Sequence, residues 1–437
     1  MSQNPTDLIA NSPMSATQIM AVCMCIMLTA LDGFDVLAIS FASPGISSEW
    51  GINRAALGVV LSMELIGMAV GSILLGNFAD KYGRRPTILI CLVVMSAGML
   101  AAGLAKGIND LSAYRFITGL GIGGMLASTS AMAAEFSSAK HRSMAVILMA
   151  AGYPLGAVLG GAVASELLKY HDWRAVFYFG ATATALFILL VWYILPESIS
   201  YLIHKRPQGA LEQINKILLR MKHSSIPILP DVEPSAKSAA NSGMGALFSA
   251  QLSSTTLLLT AAYFTHIMTF YFILKWIPKI VVDMGYAPSA AGGVLVWANV
   301  GGLLGCMLLG LLSHRFAVRI LVIIMLAGGA TMVAVFGQGQ QDLQQLALIA
   351  GVAGFFTNAA VVGLYALFTL AFPTELRASG TGFVIGIGRG GAALGPITAG
   401  LMFSAGYGLQ SVSFAMAIGS LLAILALFFL RTRRNGG

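Results

Sequence analysis

Residues 76–86 read Gly76-Asn77-Phe78-Ala79-Asp80-Lys81-Tyr82-Gly83-Arg84-Arg85-Pro86. Four of these positions are charged, in a chain where charged residues are only 10% of the total. The stretch lies between apolar runs at 54–79 and 87–105, each of about the twenty residues a helix needs to cross a bilayer. A charged turn between two such runs reads as a membrane hairpin, and the rest of the chain repeats the pattern. Further apolar segments run near 18–43, 110–134, 143–167, 174–195, 252–280, 288–313, 318–337, 343–371, 378–403 and 408–430. The twelve spans fall into two groups of six. Between them lies the one long polar stretch, from Pro196 to about residue 250, which holds Pro207, Pro227, Pro230 and Pro234. The expected fold is all-α and integral to the membrane, with a six-helix bundle over 1–195, a linker over 196–250 and a second six-helix bundle over 251–437.

Composition points the same way. Hydrophobic residues are 57% of the 437 positions, whereas a soluble domain carries about 25% charged residues. A chain this poor in charge cannot cover its surface in water, so a soluble enzyme is excluded. The 50 glycines suit helices that approach closely in lipid. Cys23, Cys25, Cys91 and Cys306 all lie in apolar stretches without metal-ligand spacing. Residues 1–15 are polar and lack the basic start of a signal peptide, so the first apolar segment is expected to remain as a helix.

The net charge of +8 bears on sidedness rather than on nucleic acid, and no nucleic-acid partner is expected. If the N-terminus is inside, seventeen of the 25 basic residues fall on the inner side and six on the outer, with Arg115 and Arg389 inside spans. The asymmetry places both termini and the linker in the cytoplasm, and Lys275 and Lys279 at the outer interface. In the linker, Leu211, Ile214, Ile217 and Leu218 recur at helical spacing among charged residues, which reads as a short amphipathic helix at the inner surface. The halves echo each other. An offset of 235 brings Arg142 onto Arg377, Gly156 onto Gly391 and Gly160 onto Gly395, and an offset of 234 brings Asp32 onto His266 and Pro44 onto Pro278. Such repeats are a common construction of transporters.

The loop at 76–86 resembles the signature loop of the major facilitator superfamily, with Gly76, Asp80, Gly83, Arg84 and Arg85 as a gating loop whose aspartate latches ionically to arginines. Its counterpart, Gly310-Leu311-Leu312-Ser313-His314-Arg315, lacks the aspartate. Arg115 opening the fourth span, Pro196-Glu197-Ser198 after the sixth, and Pro373-Thr374-Glu375-Leu376-Arg377 before the eleventh resemble further motifs of that superfamily. Within the first span, Asp32-Gly33-Phe34-Asp35 is similar to the pattern of its aromatic acid:proton symporters, and Gly388-Arg389-Gly390-Gly391 fits their eleventh helix. The resemblance implies a proton-coupled importer of small aromatic carboxylates. It further implies a multi-pass protein of the bacterial inner membrane, in lipid and monomeric, with no cofactor and no enzymatic chemistry.

Asp32 and Asp35 are three residues apart on one helix, so they share a face. The resemblance pairs Asp35 with Arg115 as the proton-coupling couple. Asp32 reads as a second proton site or as a polar contact near substrate. Glu64, mid-span, either joins this network or faces a water-filled cavity. Static ion pairs that only fix packing are the plainer alternative for Asp32 and Asp35. The planar guanidinium of Arg389 suits a carboxylate. His266 and Asn299 are polar candidates for the same cavity, each with an interhelical hydrogen bond as its alternative. Phe34, Tyr153, Phe270, Tyr271, Trp276, Trp297 and Tyr365 are candidate aromatic walls, though any one of them also suits lipid or packing.

Other classes fit less well. A proton-coupled exporter, or an importer of non-aromatic acids such as muconate, would use the same groups. An intramembrane enzyme or a nucleotide-driven pump would need a metal cluster or a phosphate loop that the sequence does not contain. A nutrient sensor on the same fold would bind without transport.

Overall fold

The computed structural model describes residues 4–230, 244–339, 342–373 and 376–430. Pro234, Lys237, Thr374, Glu375, Arg431, Arg433 and Arg434 lie outside the described residues. After a short α1 (Pro5–Asn11), the first six spans are α2 (Ala16–Trp50), α3 (Arg54–Tyr82), α4 (Arg84–Gly103), α5 (Ile108–Glu135), α6 (Arg142–Leu167) and α7 (Arg174–Ile194). The linker carries α8 (Ile199–Lys205) and α9 (Ala210–Arg220). The second six are α10 (Ser253–Asp283), α11 (Pro288–Leu312), α12 (Val318–Phe336), α13 (Leu343–Ala371), α14 (Arg377–Ser404) and α15 (Leu409–Phe429). Every expected span is therefore a helix. Eleven combine length with strong apolarity, and α14 is long enough at 28 residues but is diluted by Arg389 and its glycines. At 35 residues α2 is about 52 Å long, well beyond the roughly 30 Å of bilayer hydrocarbon.

The helices are patterned for lipid rather than water. In α15 the small polar Ser413 and Ser420 are buried, while Leu421, Leu425 and Phe428 are exposed. Lipid accepts the large apolar groups, and the interior takes small residues that bond across helices. In α9 the stripe runs through Ala210, Ile214, Ile217 and Leu218 and is covered by protein. It forms a packed linker helix, so its apolar face is not what holds the linker to a membrane surface. Asn215 fixes the chain that follows by bonding both the amide and the carbonyl of Ile226, at 2.8 and 3.0 Å.

The described chain forms two compact units, and they are not the two halves of the sequence. One comprises Met1–Val36, Gly67–Ala157 and Phe177–Glu233, and the other Leu37–Ile66, Val158–Val176 and Pro234–Gly437.

Within each unit, helices approach until a glycine of one meets a main-chain carbonyl of the next. A Cβ added at Gly156 in α6 would lie 1.7 Å from the Ala30 carbonyl of α2, and one at Gly391 in α14 would lie 2.3 Å from that of Phe264 in α10. Gly67 and Gly71 of α3 face the carbonyls of Phe116 and Leu120, as Gly301 and Gly305 of α11 face those of Gly351 and Phe355. Each second-half contact is its first-half counterpart shifted by 234 in one partner and 235 in the other. The internal repeat is thus a repeat of atomic contacts.

Leucine at Gly156 or at Gly391 is expected to prevent the helix pair from forming, because overpacking against backbone has no side chain to yield and costs at least ~1–3 kcal/mol. Gly386→Ala, at a position with open space, should be neutral. Yield and thermal unfolding in detergent measure all three; a stable Gly156→Leu protein would contradict the close approach.

Candidate functional site

The loop over residues 76–86 is built on one carboxylate. Gly83 sits at φ 104°, a backbone region that favours glycine, just ahead of α4. A Cβ there would stand 2.4 Å from Oε2 of Glu197. The room left by glycine lets Glu197 Oε1 accept the amides of Arg84, Arg85 and Ser198 at 2.9, 3.2 and 2.7 Å. Glu197 therefore caps the start of α4, whose first amides have no partner within the helix. Ser198 caps α8 by accepting the Tyr201 amide at 3.0 Å and donates its hydroxyl to Glu135. The Arg84 guanidinium pairs with Glu135 at 2.7 Å, and Arg85 donates to the Trp192 carbonyl and lies over that indole. The arginines are thus used differently from the expected latch: Arg84 takes Glu135 rather than Asp80, which is exposed, and Gly76 has open space around it. An acid at the distant end of α5 could not be assigned to this loop from sequence spacing.

In the same unit, Asp32, Asp35 and Arg115 are all buried. Arg115 of α5 donates to the main-chain carbonyl of Asp35 at 2.7 Å and to the sulfur of Met99 at 2.9 Å, with Phe177 against its guanidinium at 5.5 Å. Thr184 of α7 donates to Asp35 Oδ2 at 3.4 Å, and Gly180 leaves space beside Oδ1. The expected couple is therefore brought together. Asp32 lies within electrostatic range of Cys91 in α4. Phe34 is buried edge-on against Phe179, 5.2 Å between centroids, so it serves packing. Tyr153 is half-buried, and its main-chain carbonyl receives Gly33 of α2.

The second unit holds the remaining candidates. Arg389 of α14 lies within electrostatic range of Tyr263 in α10 and Tyr365 in α13. The two phenols bond each other at 2.9 Å, and Phe368 stands edge-on to the Tyr263 ring. Gly388 makes this cluster possible, because a Cβ there would overlap the Tyr263 ring at 2.0 Å. Tyr263 was missed from sequence, although the glycine next to Arg389 is the mark of a ring packed against α14. His266 is buried with both ring nitrogens engaged, by Ser420 Oγ at 2.9 Å and the Thr357 carbonyl at 3.1 Å. The interhelical alternative holds for it in this structure, and it offers a substrate no polar atom. Asn299 differs: its amide nitrogen donates to the Leu295 carbonyl at 2.9 Å, while its buried Oδ1 has no hydrogen-bond partner among the described residues. Trp276 is buried and donates to the Pro396 carbonyl at 3.2 Å, Phe270 packs edge-on to Tyr271, and Trp297 is 58% exposed.

One expectation is overturned. Lys275 is not at an interface but is fully buried, and it meets Glu64 at 3.5 Å. The sequence placed the end of this span near residue 280. The helix continues to Asp283, which takes Lys279 one turn away and leaves Lys275 about 12 Å inside the helix end. An acid in mid-span asks for a cation; Lys275 was available and was assigned to the wrong depth.

With this geometry in place, comparison with known proteins is informative. The sequence profile described as Major Facilitator Superfamily matches residues 25–338 and again 259–437. The gallate transporter of Pseudomonas putida is 30% identical over 426 residues, 96% of this chain and 93% of its own length. This chain belongs to the major facilitator superfamily. Within the superfamily its relatives include the 4-hydroxybenzoate transporter PcaK of Acinetobacter baylyi, 29% identical over 96% of this chain and 93% of that one. The benzoate transport protein of the same organism is 28% identical over 99% and 93%. Among solved structures, the xylose transporter XylE from E. coli in a partially occluded inward-open conformation superposes with a TM-score of 0.76 at 17% identity, covering 97% of this chain and 100% of that one. At that identity the likeness concerns the fold. This superfamily member is a multi-pass membrane transporter and not an enzyme.

Burial raises the Glu197 carboxyl above the ordinary range, against the opposing pull of the amides it caps and of Arg85. A raised folded-state value means the folded protein binds the proton more readily than the unfolded chain. Its contribution to stability is therefore complete below the unfolded carboxyl value and is lost as pH rises through the folded one. The melting temperature of wild type minus that of Glu197→Gln should accordingly fall as pH rises above the ordinary carboxylate range. Glu197→Ala, which strips the cap, should cost ~1–3 kcal/mol. Thermal unfolding in detergent measures both; a difference that grows with pH would contradict the burial argument.

Proposed function

We propose that this transporter imports small aromatic carboxylates together with a proton by alternating access. The observation that carries the reading is Arg389 beside the bonded phenols of Tyr263 and Tyr365. A guanidinium presents a planar fork of donors to a carboxylate, and phenol rings supply both an apolar wall and hydroxyls for a ring substituent. Relatives named for gallate, 4-hydroxybenzoate and benzoate share a substrate chemistry that such a cluster would recognise. The amide oxygen of Asn299 adds an acceptor for a phenolic hydroxyl.

The proton is assigned to Asp35, with Asp32 as a second carboxyl on the same helix face. Arg115 lies against Asp35, and a change in that contact as helices move would let the proton be taken up or released. A proton travelling with a monoanion makes the cycle electroneutral. The six-helix halves 1–195 and 251–437 are the parts that move relative to each other in this mechanism. The bias of basic residues supports termini in the cytoplasm, the bacterial relatives support the inner membrane, and the working unit is taken as a monomer.

Uptake into proteoliposomes with an imposed inward proton gradient tests the reading. Benzoate, 4-hydroxybenzoate and gallate should accumulate, and Asp35→Asn should abolish gradient-driven accumulation. Arg389→Lys should weaken substrate affinity by about ten-fold or more, since one point charge replaces the fork. Efflux of preloaded acid against an opposing gradient, with no uptake, would establish export instead. Accumulation of muconate but none of the aromatic acids would remove the ring from the site.

A further inference from the structure

In the second unit, α3 and α10 run antiparallel and are joined by two ion pairs of reversed polarity. At one end, Arg54 of α3 meets Asp283 of α10 at 2.9 Å, with side chains 42% and 31% exposed. Ten residues further along α3, roughly 15 Å deeper, Glu64 of α3 meets Lys275 of α10 at 3.5 Å, and both side chains are 0% exposed. The surrounding contacts are close. Ser62 donates to the Ala393 carbonyl at 2.6 Å, and a Cβ on Gly58 would lie 2.6 Å from that of Pro396. Beside the shallow pair is a cavity of about 190 Å³ lined by Arg54, Trp276, Asp283, Phe403 and Leu409, and Trp276 is the sequence neighbour of Lys275.

Stability does not account for the deep pair. Removing two charges from water costs several kcal/mol each, and apolar residues of similar volume commonly hold as well. The glycine and hydroxyl contacts already join α3 to α14. What distinguishes Lys275 is chemical: an ammonium with three donors accepts any carboxylate as its counter-ion. It is also covered by α3, a helix from the other half of the sequence, so separation of the halves along this seam would remove Glu64 from it.

We propose that Lys275 is a second carboxylate-receiving site on the transport path, apart from Arg389, which Glu64 fills while the α3–α10 seam is closed and the carboxylate of the transported acid takes in turn when the seam opens. The proposal rests on the reading of this chain as a carrier of aromatic carboxylates. The buried ammonium keeps a counter-charge in both states, and the displaced Glu64 faces the water that enters as the seam parts. Substrate and Glu64 are then competitors for one cation. A ligand without a carboxylate has nothing with which to replace Glu64.

Competition predicts opposite signs for the two partners. In the purified full-length protein, affinities for benzoate, 4-hydroxybenzoate and gallate are measured beside benzamide, the uncharged analogue of benzoate. Glu64→Gln is expected to tighten acid binding several-fold. Lys275→Gln is expected to weaken it several-fold and to narrow the preference for benzoate over benzamide, with Arg389 still in place, and Lys275→Arg to retain that preference. If both single neutral variants shift acid affinity in the same direction, the pair acts only as packing or as a latch, and the inference is overturned. Should a single variant fail to fold, Glu64→Gln combined with Lys275→Gln removes both charges of this pair together. Its preference for benzoate over benzamide is expected to be narrower than that of wild type, and wild-type discrimination in that protein would overturn the inference. A wild-type protein that binds none of the three acids would overturn the reading of function itself, which is distinct from binding with same-sign shifts.

Discussion

Helices inside lipid gain nothing from hiding apolar side chains from their surroundings, because acyl chains are as apolar as leucine. Their association depends on close contact, and here closeness means glycine against a carbonyl. Gly156 against Ala30 and Gly391 against Phe264 bring α6 onto α2 and α14 onto α10. Gly71 against Leu120 and Gly305 against Phe355 do the same for α3 with α5 and α11 with α13. With the backbones this near, the remaining polar groups can bond across helices, as His266 does to Ser420 and Thr357. The same closeness sets the Tyr263 ring against Gly388, and so beside Arg389.

Because the contacts repeat at offsets of 234 and 235, the two halves share a scaffold and differ in what they carry. The position of Asp32 in the first half is that of His266 in the second. One is a buried acid beside a proton-coupling candidate, the other an imidazole fixed by two hydrogen bonds. A single packing solution thus supports unlike chemistry, which suits the proposed cycle, in which a proton and an organic anion travel together. Buried charge follows the same division: Arg115 with Asp35 in one unit, and Glu64 with Lys275 in the other. Each charge has a partner across a helix interface, the usual condition for an ionisable group at membrane depth.

How far the chain could be read depended on range. The spans were legible because a helix in lipid needs an unbroken apolar run, and boundaries fell within a few residues for α3, α7 and α13. Asp35 and Arg115 were legible through motifs. Lys275 was misplaced because one helix end was set three residues short, and near a membrane surface that distance decides between interface and interior. Glu135 and Glu197 escaped because a capping acid comes from a distant segment, and no local spacing records it.

The sequence by itself therefore determined the class of molecule, the twelve spanning helices and the internal repeat, which follow from composition and from period along one chain, and through its motifs it singled out Asp35 and Arg115. The tertiary structure alone decided which charge meets which. It gave Arg84 to Glu135 rather than Asp80, Glu64 to Lys275, and both nitrogens of His266 to neighbouring helices. Pairing energies act between side chains a few ångströms apart, and that distance is set by how helices remote in sequence pack, not by their order along the chain.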